Sequence, residues 1–197
     1  MIAFVRAGLV AALAVFFVLP AFAQEKSFQR SELADAAIKL EEQIKTDAGT
    51  PKQPAAQLRR DAEAAFQKND FRGGMVILGQ AVAAAPDDAS GWLRLARTVS
   101  RIRPRDDKEQ AFFLERASVA AYIAYQRTKT KAEEGESLAV LGQLLAERKQ
   151  YRGALDALRL ALDQRETAEL RGQYEHLRAE YGFRMLNYTV DSDAISP

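Results

Sequence analysis

Residues 58–92 read LRRDAEAAFQKNDFRGGMVILGQAVAAAPDDASGW. Leu58 and Trp92 stand thirty-four residues apart, and each opens an apolar pattern of helical period. Between them, Asn69-Asp70 makes a turn, where short polar side chains bond the local backbone. Phe71, Gly74, Leu78 and Ala81 then follow at helical spacing. Gly74 and Ala81 are small enough for two helix backbones to approach, and Phe71 and Leu78 are expected to fill the space between them. Pro86 ends this second helix, because it lacks an N–H for an i→i−4 bond. Asp87 and Asp88 supply cap and turn oxygens for the next helix. The stretch is one helix–turn–helix unit, with Ala55 as its first position.

The pattern recurs twice. A second unit opens at Ala89, with Trp92, Leu95 and Ala96 on its first helix and Ala117, Ala121 and Ala124 on its second. Trp92 to Ala117 is twenty-five residues where the first unit has sixteen, so about nine are inserted, around the proline-broken segment Ile102–Asp107. A third unit opens at Gly135. Leu138, Leu141, Gly142 and Leu145 mark its first helix, and Tyr151, Ala154, Leu158 and Ala161 its second. Glu166 stands where the first unit has Pro86, so the chain is expected to run on into a capping helix over Thr167–Tyr181. Leu and Ala at helical spacing also suit an ordinary bundle; the turn residues and Pro86, falling in the same register, favour the repeat.

Over Ala55–Glu166 the sequence resembles the tetratricopeptide family, whose period is thirty-four residues. The resemblance implies an all-α fold, a right-handed solenoid of about three helix pairs plus the capping helix. Such solenoids present a groove to a partner and rarely do chemistry. In the family the groove is lined from the first helix of each pair, at positions 5, 9, 12 and 13. Carried onto this sequence, those are Arg59, Glu63, Phe66 and Gln67, then Leu93, Arg97, Ser100 and Arg101, then Ala139, Gln143, Ala146 and Glu147. Arg59, Glu63, Arg97, Arg101 and Gln143 are therefore the expected contacts to a protein or peptide partner. Arg97 and Arg101, one helical turn apart, suit an acidic peptide or a C-terminal carboxylate. Glu63 departs from the family's carboxylate-clamp pattern, which wants asparagine there. The alternative is that these charges only solvate a helix face.

The first residues read as an export signal rather than as fold. Arg6 is a positive lead, Ala7–Leu19 an apolar run, and Ala21-Phe22-Ala23 a small-residue cleavage pattern. The run falls short of the roughly 20 residues a membrane span needs, so an uncleaved anchor is the lesser alternative. Cleavage after Ala23 implies a periplasmic or secreted protein. It leaves 27 basic against 27 acidic residues. That balance argues against nucleic acid, which asks for a basic face. The chain has no cysteine, so no disulfide staples it and helix packing must hold it.

The remaining parts follow. Residues 24–54 hold a polar lead, a helix from Ser31 to Lys45 with Leu33, Ala37, Leu40 and Ile44 on one face, and a linker with two prolines. Whether that helix docks is open at this point. The helical domain covers 55–182. Residues 183–197 are read as an extended tail, because Phe183–Val190 is aromatic and β-branched with period-two character. A lone strand cannot bury itself, so the tail reads as the start of a β domain.

A search for chemistry finds little. The single histidine, His176, has Glu175 beside it and Glu180 four residues on, and is read as a solvent-side residue rather than a metal ligand. Asp191-Ser192-Asp193 lacks the rest of a calcium loop and is read as a turn. No nucleophile has a base in view. No catalytic residue, metal or cofactor is expected. The order of parts, and the tail sequence from Gly182 to Pro197, resemble the N-terminal region of bacterial alpha-2-macroglobulin family proteins. That resemblance implies a scaffold at the front of a periplasmic protease trap. The rival is a stand-alone periplasmic adaptor that binds a peptide in its groove.

Overall fold

The computed structural model describes residues 31–193, which form eight α-helices. The export signal, its cut after Ala23 and the polar lead lie outside the described residues, as does the end of the tail. The helices are α1 Ser31–Ala48, α2 Ala55–Gln67, α3 Phe71–Ala84, α4 Ala89–Ser100, α5 Asp107–Gln126, α6 Lys131–Glu147, α7 Tyr151–Gln164 and α8 Ala168–Asp193. No strand occurs among the described residues.

Local chemistry starts these helices where the sequence implies. Asp70 accepts from Gly73 N–H at 2.9 Å, Asp88 from Ser90 N–H at 3.0 Å and Asp106 from Glu109 N–H at 2.8 Å. Each bond satisfies one of the four N–H groups that a helix start leaves unpaired. At α6, Thr130 and Glu133 bond each other's backbone in a capping box. α3 stops at Ala84, two residues before Pro86, and Ala85 has left the helical region as a residue before proline must. α7 stops at Gln164 without a proline. Arg165 turns extended, and Thr167 accepts from Leu170 N–H to open α8.

The helices pack as consecutive hairpins, α2 on α3, α4 on α5 and α6 on α7. α3 and α7 are both 14 residues long, and each begins sixteen positions after its unit's first residue. The turn before each holds a left-handed residue at the same register, Asn69 and Lys149, both with φ 61°. Asp70 N–H bonds Ala65 O at 2.9 Å in the first turn, and Gln150 N–H bonds Leu145 O at 2.8 Å in the third. The middle hairpin absorbs the insertion in two ways. Its loop grows to Arg101–Asp106, and α5 reaches 20 residues. Ala117, Ala121 and Ala124 are fully buried.

α1 is docked. It lies against α3 and α5 and buries Ala37, Leu40 and Ile44. Glu41 takes an ion pair from Arg127 at 3.0 Å, and Gln43 accepts from Arg116 at 3.0 Å. α8 packs on α7 through Leu170 and Leu177.

Two expectations are corrected. Phe71 does not fill the gap between α2 and α3; it is 60% exposed, and Phe66 of α2 takes that space over Gly74. The span 183–190 is not a strand. α8 runs unbroken through it to Asp193, so 191–193 is helical too rather than a turn. A lone strand would leave its backbone groups unpaired, whereas a helix pairs them within itself.

Candidate binding groove

α2, α4 and α6 carry the residues expected to meet a partner, and α8 extends that row. Most of those residues are already engaged. Arg59 of α2 pairs with Asp88, the cap of α4. Glu63 of α2 pairs with Arg94 of α4. Arg97 of α4 pairs with Glu136 of α6 at 2.7 Å. Gln143 of α6 donates to Gln173 of α8 at 2.8 Å. Each link joins one first helix to the next, so these four side chains form a polar ladder along the row. The pairs are substantially exposed, so each contributes little stability by itself. Their effect is to hold neighbouring helices in one register.

Asp88 shows how such a link works. Burial works to raise its carboxyl pKa, but hydrogen bonds from Ser90 and Arg59 and the Arg59 charge outweigh that and hold it below its ordinary value. One carboxylate thus caps α4 and ties it to α2.

Arg101 differs. Among the described residues its guanidinium has no hydrogen bond or ion pair, and it lines a cavity of about 390 Å³ between α4, α6 and α8. Arg97, Gln143, Arg165, Glu147 and Gln173 line the same cavity. Arg165 is likewise without a side-chain partner among the described residues. The expectation of a basic groove needs amendment, because Glu136, Glu147 and Glu169 balance the three arginines. Arg97 is neutralised by Glu136, and Gln173 donates to Glu169 at 3.4 Å. Arg101 and Arg165 have no direct ion-pair partner among the described residues, although Glu147 and Glu169 line the same cavity. Burial without a partner raises the Glu147 carboxyl above its ordinary value.

A second cavity of about 410 Å³ adjoins the first, sharing Gln143, Glu147 and Gln173 with it. Tyr151, Leu158, Leu177 and the exposed His176 line it. The Gln143–Gln173 bridge therefore sits between two chambers of one trough. Of the other expected groove residues, Leu93 is buried and Phe66 is committed to packing.

Sequence reasoning missed Gln173 and Glu169, because Thr167–Tyr181 is read there only as a cap, and Arg165, because only first-helix positions are carried over as groove residues. The signal lies in Leu170, Tyr174 and Leu177, an apolar stripe at i, i+4, i+7 that makes α8 another packing helix with Gln173 on its flank.

No group of acidic, histidine or cysteine side chains able to hold a metal occurs among the described residues. No helix among them is long and apolar enough to cross a membrane. The chain matches no model of a known protein family and no curated protein sequence.

Proposed function

We propose that this chain is a non-catalytic, tetratricopeptide-like scaffold whose α4/α6/α8 trough takes an extended segment of a partner protein. One observation carries the reading. The α2–α3 and α6–α7 hairpins share a second helix of 14 residues and a left-handed turn position eighty residues apart, and the row of first helices leaves a two-chambered trough. Repetition of that kind supports a right-handed solenoid of about three pairs, with α1 laid across α3 and α5 and α8 closing the row on α7.

The bound segment is acidic at the Arg101 and Arg165 end. Among the described residues those two guanidiniums have no side-chain partner, and carboxylates would give them charge-assisted bonds. A basic or polar residue at Glu147 would relieve a carboxylate now held without one. Residues 1–23 read as a cleavable export signal, so the place of action is the periplasm or the outside of the cell. The macroglobulin reading rests on the order of parts and on a tail expected to pair only within a larger protein; the trough is what supports the adaptor reading.

The test is a panel of extended peptides with an acidic residue at each position, read by fluorescence anisotropy. Arg101→Glu with Arg165→Glu should weaken acidic-peptide binding by more than about tenfold. Its melting temperature should stay unchanged, because neither side chain is paired. Glu63→Gln, on the ladder, should leave binding intact. Equal binding by the double charge reversal would refute the trough as the site.

A further inference from the structure

On the other side of the molecule, α1 roofs a second kind of cavity. It measures about 240 Å³ and is lined by Leu40 and Ile44 of α1, Met75 of α3, and Leu95 and Val99 of α4. A cavity of about 150 Å³ holds benzene, so this one takes a ring or branched chain with a few atoms to spare. Methionine is an adaptable liner for such a space. Gly79, in the middle of α3, faces it; a Cβ built there would meet no atom within 4 Å. Glycine inside a helix weakens it relative to alanine, so the open space is kept against local preference.

Two charges stand at this apolar chamber. Arg116 of α5 bonds only the neutral Gln43 oxygen and lies over the Phe112 ring at 5.3 Å. No carboxylate pairs with it among the described residues. Asp47 lines the same cavity, also without an ion pair or hydrogen bond among the described residues. It stands in the last turn of α1, the negative end of the helix dipole, where a carboxylate is disfavoured and a cation welcome. A ligand with both charges and an apolar body satisfies every lining group.

We infer that this cavity binds a free apolar α-amino acid, its side chain among Leu40, Ile44 and Val99, its carboxylate on Arg116 and its ammonium on Asp47. The site is separate from the trough, and stands or falls without it.

The experiment titrates the full chain with L-phenylalanine and L-leucine, by calorimetry and by methyl NMR of Leu40, Ile44 and Val99. Two analogues, 3-phenylpropionate and phenethylamine, each lack one charge. At least one amino acid should bind with Kd of about 1 mM or tighter, and both analogues should be weaker by about tenfold or more. Gly79→Leu fills the chamber and should abolish binding with helix content retained. Asp47→Asn should weaken the amino acid about tenfold and leave 3-phenylpropionate unchanged or tighter. Asp47 is exposed, so that variant decides the matter even where Gly79→Leu fails to fold. No methyl shifts with either amino acid, or 3-phenylpropionate binding as tightly as L-phenylalanine, overturns the inference.

Discussion

Gly74 stands on the second helix of the α2–α3 hairpin, and Gly142 on the first helix of α6–α7. At the matching places the other hairpin has alanine: Ala154 answers Gly74, and Ala62 answers Gly142. All four are buried. A Cβ on Gly74 would lie 2.3 Å from Phe66 Cε1, so the glycine makes room for a ring from the first helix. A Cβ on Gly142 would lie 2.7 Å from Leu158 Cγ, so there the glycine makes room for a side chain from the second helix. Where the first hairpin has Phe66, the third has Ala146. The two hairpins keep close contact at the helix crossing with different residues, a glycine standing in each where a larger side chain crosses from the facing helix.

The broadest way to break the comparison is at the seam between units. Trp92 is 1% exposed, and its indole N–H donates to Pro86 O at 2.8 Å. It occupies the register position of Leu58 and Leu138, which are buried as well. Trp92→Ala should cost about 3–5 kcal/mol in a urea melt. A loss under about 1 kcal/mol would show that this position does not carry the stack.

Gly142→Ala and Gly74→Ala sharpen it. Gly142→Ala drives into the branch point of Leu158 and comes within 3.2 Å of Ala154 O, a backbone atom that gives little. Overpacking of about 1–3 kcal/mol should outweigh the roughly 1 kcal/mol of helix propensity gained. Gly74→Ala meets the far end of a half-buried ring and should cost less. In that background, Phe66→Ala installs the alanine pair of the third hairpin. The double variant should be more stable than the sum of the singles by about 1 kcal/mol, measured as a double-mutant cycle. Simple additivity would mean the two sites are independent.

The smallest effect lies at the caps. Asp70 caps α3 through its side chain, whereas Gln150 makes no side-chain cap bond at α7. Gly153 follows Gln150 as Gly73 follows Asp70. Gln150→Asp should raise stability by about 0.5–1 kcal/mol, read from the denaturation midpoint, while Asp70→Gln lowers it similarly. No gain at Gln150 would mean the two turns differ despite their shared φ.

Much of this was legible from spacing. Trp92, Leu138 and Leu158 marked helices at an apolar spacing and all three are buried, and Ala117, Ala121 and Ala124 marked α5 despite the insertion. The groove was legible in part. Arg97, Arg101 and Gln143 do line one cavity, but only Arg101 is unoccupied there. Spacing says which face a side chain takes and not which neighbour it meets. Phe71 was misplaced for the same reason. Phe66, five residues earlier on the facing helix, reaches Gly74 first, and no periodicity records that competition.

Helix starts, helix ends and repeat register are local matters. They follow from caps, proline and the i→i−4 bond, so the amino-acid sequence by itself determined them, Asp70, Pro86 and Asp88 included. The helical course of 183–193 shows the limit of that rule. Its β-branched and aromatic composition suits a strand, yet a strand needs a partner and a helix does not. Which cations stay unpaired, how α1 roofs a cavity over Gly79, and how α8 completes the trough were decided only by the tertiary structure. Those features depend on the offset between neighbouring helices, which the packing of many side chains sets together.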